Sequence, residues 1–513
     1  MPLVFRTKIH LQREADMFLG IDLGTSGVKA VLMNESGEIT AQANASLEVS
    51  RPQPLWSEQN PTHWVEAMNT AVMALSNDND LSAVKSIGLS GQMHGATLLD
   101  SDNAIIRPAI LWNDGRSQAQ CDAIEKVVPN SRDITGNLAM PGFTAPKVLW
   151  VKDHEPDNFA KIAKVLLPKD YLGFILTGQY ASDMSDSAGT LWLDVEKRAW
   201  SDVMLTACGL SQSQMPKLYE GHEVTGYLNT DLAKKWGMQA VPVAAGAGDN
   251  AAGAVGVGVV TPGEALLSLG TSGVFFVSNA QYAPNPKEAV HAFCHCLPKT
   301  WHQMSVILSA ASCLDWLVSL TGAQDVPTLL AELEAQTELV ANPQDDNTPI
   351  FLPYLTGERT PHNNPHAKGA FFGMTASTTR AHLTKAVLEG VAFAFADGQL
   401  ALTNSEGEIS RVSVIGGGAR STLWGQILSN ILDRPLLFRD GGDVGPALGA
   451  ARLAHLAYLV DSNSFTEQSI EAVCPAPAIT QEVLPQPEKV EAYQARWAKY
   501  RALYEATSSL MGQ

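Results

Sequence analysis

Gly24-Thr25-Ser26-Gly27-Val28 and Gly270-Thr271-Ser272-Gly273-Val274 are the same pentapeptide, repeated nearly half a chain apart. Each copy follows a short apolar run, Phe18-Leu19-Gly20-Ile21 in the first and Ala265-Leu266-Leu267 in the second. Each leads into further β-type residues: Val28, Val31 and Leu32 in one, Val274, Phe275, Phe276 and Val277 in the other. The pattern predicts two hairpins with tight turns of small, hydroxyl-bearing residues. Such turns leave backbone N–H groups and hydroxyls able to hold phosphate oxygens. Two of them predict one nucleotide clamped between two related halves. The copies differ at one place: Asp22 stands two residues before the first glycine and Ser268 before the second.

Other pairs fall into the same order. Val84 to Leu89 reads as a buried strand entering the loop Ser90-Gly91-Gln92-Met93-His94-Gly95, and Val412 to Ile415 enters Gly416-Gly417-Gly418-Ala419-Arg420. Val241 to Ala244 leads to Gly248-Asp249-Asn250-Ala251-Ala252-Gly253, matched by Gly442-Asp443-Val444-Gly445-Pro446-Ala447. Each of these last segments sets an Asp at a helix start ahead of tiny residues, which permit close helix–helix or helix–backbone approach. The series predicts a duplicated α/β architecture with a cleft between halves. Its boundary is expected near Gly256–Gly263, giving residues 17–257 and 258–513, with residues 1–16 an unstructured extension or a misassigned start. Glu488 to Met511 has helical periodicity through Val490, Tyr493, Trp497, Tyr500, Leu503 and Tyr504 and is expected to be a packing helix.

Composition narrows the partners. A chain of 513 residues exceeds one hydrophobic core, and 45% apolar with 17% charged residues makes it globular. The net charge of −18 argues against nucleic acid and anionic membrane, both of which need a basic face. Any phosphate must therefore be held mainly by amides, hydroxyls and a metal. The closest candidate for a bilayer span, Ala240 to Val260, carries Asp249 and Asn250 in its middle, so no membrane span is expected. The six cysteines are sparse and fit a reduced, cytoplasmic protein. His291 to Cys296 alternates as a strand does, so its His and Cys side chains are not expected to converge on a metal. No G-x-x-x-x-G-K-[ST] or G-x-G-x-x-G motif is present, which fits an ATP site built from two hairpins.

Together these residues resemble the FGGY carbohydrate kinases, members of the actin, sugar-kinase and heat-shock ATPase superfamily. Gly20 to Ser26 looks like its first phosphate motif, Leu269 to Gly273 its second, and Ile415 to Ala419 its adenosine motif. Ser90–Gly95, Leu111–Arg116, Gly248–Gly253 and Gly357–Gly373 point within the family toward kinases of a ketopentose, D-xylulose. The resemblance implies an actin-like, ribonuclease H-like duplicated fold with an interdomain catalytic cleft, and transfer from MgATP to a terminal sugar hydroxyl. It implies Asp249 as general base, with a helix cap the alternative, and Met93, His94 and Asn250 as sugar contacts. It also implies a homodimer.

On the residues themselves, Asp22 before a phosphate turn would repel bare phosphates, so a divalent cation, Mg²⁺, is expected there. Thr25, Ser26, Gly270, Thr271 and Ser272 are expected on the phosphates, and Gly416, Gly417 and Gly418 against the adenosine. Trp112, Asn113 and Asp114 have the composition of a sugar site. Rival readings are a kinase for ribulose, gluconate or glycerol, and a non-catalytic ATP-binding interaction protein of the same fold.

Overall fold

The computed structural model describes residues 16–403, 409–439 and 445–511. Residues 1–15 of the expected N-terminal extension, and Asp443, lie outside the described residues. Both pentapeptides are hairpin turns. Met17–Leu23 runs antiparallel to Gly27–Asn34, closing at Leu23 opposite Val28, and Glu264–Leu269 to Gly273–Asn279, closing at Leu269 opposite Gly273. The Gly24 N–H donates to the Gly27 carbonyl at 2.9 Å, which makes the first turn tight. Phe18, Leu19, Ile21 and Leu23 are all buried. An unbroken apolar run is what a strand covered on both faces requires.

Each hairpin organises one sheet. In the first, the order is Val224–Tyr227, Pro242–Ala244, Val84–Gly91, Met17–Leu23, Gly27–Asn34, Ile39–Ser46, with Ala247–Gly248 also on Val84–Gly91. In the second it is Ile479–Val483, Leu436–Arg439, Arg411–Ile415, Glu264–Leu269, Gly273–Asn279, Trp301–Ile307 and His291–Cys294. Both begin at an antiparallel edge, pass through parallel strands and end in the antiparallel hairpin. The His291 segment is a strand as expected, paired to Trp301–Ile307.

Two helices of tiny residues interlock the sheets. Asp249–Gly256 and Gly445–Asp461 pack together, and the second of these lies on Met17–Leu23 and Val84–Gly91, strands of the other half of the sequence. A Cβ on Gly20 would stand 2.2 Å from the Ala447 carbonyl, and one on Gly88 1.9 Å from that of Ala450. At the helix crossing, a Cβ on Gly256 would meet the Gly445 carbonyl at 2.0 Å, and one on Gly449 the Ala252 carbonyl at 1.9 Å. Ser86 Oγ donates to the Ala454 carbonyl at 2.6 Å and Arg452 Nη1 to that of Val255 at 2.8 Å, so side chains bond across the seam to backbone carbonyls.

One expectation needs correcting. The helix Arg380–Thr403 is by length and composition able to cross a membrane, although no such segment was anticipated; 83% of its apolar window is buried inside the protein. It carries Lys385, Glu389 and Asp397, and Glu389 Oε2 accepts from Arg496 Nη2 at 2.7 Å. Arg496 lies on the C-terminal helix Pro487–Thr507, which buries Val490, Tyr493 and Tyr500 as its periodicity implied.

The seam yields a stability test. Gly88→Ala must displace backbone and should lower unfolding free energy by at least about 1–3 kcal/mol. Gly173→Ala, whose Cβ would meet only Leu89 Cδ1 at an ordinary 3.5 Å on a helix, should be neutral or slightly stabilising. Urea denaturation of the two variants checks this.

Candidate active site

The first sheet gathers its chemistry at one end. Leu23 pairs with Gly91 and Gly248 pairs with Gly91, so the residues ending these neighbouring strands lie side by side. Ligands in open α/β sheets bind at the carboxyl ends of parallel strands. Asp22, Ser90 and Asp249 all stand there.

Asp249 is the first residue of the helix Asp249–Gly256, not its cap; the cap is Gly248, with no side-chain capping bond. The Gly248 N–H donates to Ser185 Oγ at 3.1 Å instead, and Ser185 Oγ donates to Asp183 Oδ2 at 2.5 Å. The carboxylate is thus not consumed in capping the helix. Its Oδ1 accepts the Asn250 N–H at 2.7 Å and Asn250 Nδ2 at 3.0 Å. Burial, and then the nearby Asp22 charge, push the Asp249 carboxyl up to about 7, against the opposing pull of the Asn250 bonds.

Asp22 is raised as well, by burial; Ser90 Oγ, donating to its Oδ1 at 2.5 Å, and the charge of Lys29 pull the other way. Lys29 stands opposite Asp22 in the hairpin register. Two partly buried carboxylates that repel one another are a fit for a divalent cation. Among the described residues no group of three or more His, Cys, Asp or Glu could hold a metal. A cation at Asp22 therefore needs oxygens from a nucleotide or water to complete its shell.

The sugar loop is held from behind. His94 takes the left-handed backbone conformation at φ 70°, and Lys147 Nζ fixes its carbonyl at 2.9 Å while also donating to that of Gly142 at 2.6 Å. His94 Nδ1 lies 2.6 Å from the Gly189 carbonyl. A carbonyl can only accept, so Nδ1 carries the proton and Nε2 is left as an acceptor for a ligand hydroxyl. Burial, then the Lys147 charge, hold the ring neutral, with its pKa lowered to about 3. Met93 joins this loop to the Asp249 helix, its Sδ 4.0 Å from Asn250 Nδ2.

Thr25 behaves differently from expectation. Its hydroxyl donates to Gln92 Oε1 at 2.9 Å and accepts from Trp112 Nε1 at 3.0 Å. Gln92 Nε2 continues to Gln59 Oε1 at 2.9 Å, and Gln59 Nε2 returns to the Thr25 carbonyl at 2.8 Å. A hydroxyl has one proton to give, and this one is committed inside the protein. Thr25 thus ties the first turn to the Ser90–Gly95 loop, while Ser26 stays exposed.

In the second turn, the Gly270 and Thr271 carbonyls accept from Ala311 at 2.8 Å and Ala310 at 2.9 Å, while Thr271 and Ser272 stay exposed. The glycine run is also explained in part by the chain itself. Gly416 has φ 97° and its Cβ would meet the Leu269 backbone at 2.7 Å; that of Gly418 would meet the Leu269 side chain at 2.5 Å. Only Gly417 of the three faces open space.

The third sugar segment divides. Trp112 is 48% exposed and Asn113 is exposed, but Asp114 is buried and bound to Arg116 Nε at 2.9 Å and the Ser57 N–H at 2.6 Å. Asp114 is a structural carboxylate and not a sugar ligand. Ser90, Gln92 and Lys147 were not singled out from sequence. Ser90 and Gln92 sit inside the quoted loop motif, whereas nothing around Lys147 marks it.

The FGGY N-terminal domain model matches residues 17–256 and the C-terminal domain model residues 265–458. The chain belongs to the FGGY family of carbohydrate kinases, with the two-domain sugar-kinase form of the actin-like ATPase fold. It is 55% identical over 495 residues to the xylulose kinase of Escherichia coli (strain K12), spanning 96% of this chain and 100% of that one. To the xylulose kinase of Bacillus subtilis (strain 168) it is 36% identical over 96% of this chain and 97% of the relative. The crystal structure of a "xyloylose kinase" from Brucella ovis superposes with a TM-score of 0.91 at 48% identity, covering 96% of this chain and 100% of the other. A Plasmodium falciparum glycerol kinase, solved with ADP, shares the fold at TM-score 0.85 and 20% identity, over 94% of this chain and 97% of its own.

The raised Asp249 carboxyl has a consequence for stability. Folding lifts its pKa, so its favourable contribution is complete below about pH 4 and is lost as pH rises through about 7. Asp249→Asn removes that dependence. Ligand-free Asp249→Asn should gain on the parent between pH 4 and 8, by roughly 2–4 kcal/mol at the top. Urea unfolding across that range measures it.

Proposed function

We propose that this protein transfers the γ-phosphoryl group of MgATP to the terminal hydroxyl of D-xylulose, giving D-xylulose 5-phosphate and ADP. The observation that carries the reading is the Asp22–Asp249 pair at adjoining strand ends, next to a loop that presents a neutral His94 acceptor. Asp249, with a pKa near 7, accepts the proton of the sugar hydroxyl as that oxygen forms its bond to phosphorus and the bond to the ADP oxygen breaks. The proton then leaves Asp249 for solvent. Mg²⁺, when bound with ATP, neutralises charge on the phosphates, and Asp22 is the side chain placed to hold it directly or through water.

Met93, His94 and Asn250 orient the sugar, with exposed Trp112 and Asn113 beside it. Ser26, Thr271 and Ser272 with the turn amides hold the phosphates, and Gly417 admits the adenosine. Closing of the halves over the cleft excludes water and limits hydrolysis of ATP. A cytoplasmic homodimer belongs to the same reading.

ADP release measured over D-xylulose, ribulose, gluconate and glycerol should show D-xylulose as the preferred acceptor by kcat/KM. Sugar-independent ATP turnover equal to the stimulated rate would instead favour an ATP-binding interaction protein. Asp249→Asn should fold and lose about 10²–10⁴-fold in kcat; near-parent turnover rules out the base. In the parent enzyme, kcat/KM should fall about tenfold per unit as pH drops below about 7, the free-enzyme value of the base.

A further inference from the structure

The Gly357–Gly373 segment carries a cation that the phosphoryl-transfer scheme does not use. Its backbone is pinned to the second sheet. The Glu358 N–H donates to the Asn364 carbonyl at 2.9 Å, and the Thr360 N–H to that of Val306 at 3.1 Å. Thr360 Oγ1 donates to the Ala289 carbonyl at 3.0 Å. Glu358 Oε1 accepts the Leu308 N–H at 3.1 Å and the Arg359 N–H at 2.7 Å. The guanidinium that follows is far less satisfied. Among the described residues it makes one side-chain hydrogen bond, from Nη1 to His291 Nε2 at 3.3 Å.

The direction of that bond is settled by the other side of the ring. Asn137 Nδ2 donates to the carbonyls of Thr135 at 2.7 Å and Ala292 at 2.9 Å, so its Oδ1 is the acceptor facing His291 Nδ1 at 3.0 Å. Nδ1 therefore carries the proton and Nε2 accepts from Arg359. Among the described residues no carboxylate forms an ion pair with Arg359. The adjacent Glu358 carboxyl is pushed by burial to about 8 and so is mostly protonated at neutral pH. The guanidinium is half-buried and its remaining donors are not sealed away from solvent, so they are open to a ligand that enters beside it.

What stands beside it is the sugar loop. His291 meets Phe143 edge-on at 5.7 Å, and Phe143 meets His94 edge-on at 4.9 Å. The Arg359 charge acts on both histidines. His94 is one residue beyond Met93, which touches Asn250 beside the base Asp249. An extended five-carbon ketose with its reacting hydroxyl at Asp249 thus directs its other end toward His94 and Arg359.

We propose that Arg359 is the second half's contact with the sugar, its planar fork donating to the ketone oxygen and the neighbouring terminal hydroxyl at the end remote from Asp249. The proposal rests on the D-xylulose reading above. Two vicinal oxygens match two parallel N–H groups of a guanidinium, which an ammonium cannot reproduce. The contact also supplies a reason for a neutral sugar to draw the second half toward the first.

The test compares D-xylulose with 1-deoxy-D-xylulose, which lacks the hydroxyl next to the ketone, in the parent, Arg359→Met and Arg359→Lys. The parent should favour D-xylulose by about 10–100-fold in kcat/KM, the loss expected when a charged donor is left unpaired. In Arg359→Met the KM for D-xylulose should rise about 10–100-fold, the KM for ATP should hold within about twofold, and the preference should collapse. Arg359→Lys should keep only part of the preference, and it stands in for the Met variant should that variant fail to fold. A preference unchanged in the variants overturns the proposal, as does a rise in the KM for ATP matching that for the sugar, which would place Arg359 on the phosphates. Failure of the parent to phosphorylate D-xylulose would sink the underlying functional reading instead, and the two failures are distinct.

Discussion

The seam of small residues is the constraint on which everything else depends. Gly20 and Gly88, in neighbouring strands, let the backbone of Gly445–Asp461 lie directly on the first sheet, and Gly256 and Gly449 let that helix cross Asp249–Gly256 at backbone contact. At the crossing itself, Gly256, Gly445 and Gly449 carry no Cβ that would hold the helices apart. The crossing joins a helix from late in the chain to strands from its beginning, so the two sheets are mechanically one object with a shared axle. Asp249 is the first residue of one of those helices. Its position relative to Asp22 is consequently set by glycine packing along that helix and strand.

That placement does electrostatic work. Burial and then the nearby Asp22 charge raise the Asp249 carboxyl to about 7, whereas Asp22 is itself raised by burial. The cost is a folded state that is less stable above neutral pH than an amide at this position would make it. Active sites commonly hold such strain, supported by a well-packed frame. Here the frame is the seam, and Ser185, which takes the Gly248 N–H, adds a polar support next to Asp249.

A second theme is the conversion of phosphate-turn residues into internal linkers. The Thr25 hydroxyl joins Gln92 of the sugar loop to Trp112, and the Gln59 amide closes the circuit on the Thr25 carbonyl. The first phosphate turn and the sugar loop are thereby a single hydrogen-bonded unit. In the second half Leu269 and the glycines Gly416 and Gly418 meet through apolar and backbone contact, and the turn is tied to Ala310 and Ala311 through its carbonyls. The two similar hairpins thus sit in different surroundings, the first among polar side-chain bonds and the second against apolar and backbone contacts.

By itself the sequence determined the duplicated hairpins, the order of strands and loops, the tiny-residue helices and the placing of Asp22 and Asp249 at element ends. These follow from local periodicity, from glycine and from short-range turn chemistry, which act between neighbours in the chain. Tertiary structure alone decided that Gly445–Asp461 would lie on the other half's sheet, and that Thr25 and Asp114 would be bound internally. It also decided that His94 would be a neutral acceptor and that Arg359 would stand against His291 with donors to spare. Those outcomes depend on partners far away in sequence, on burial and on which lone pair faces which proton. No spacing within a linear motif carries that information, because a proton's position and a carboxylate's pKa belong to the packed environment and not to the residue.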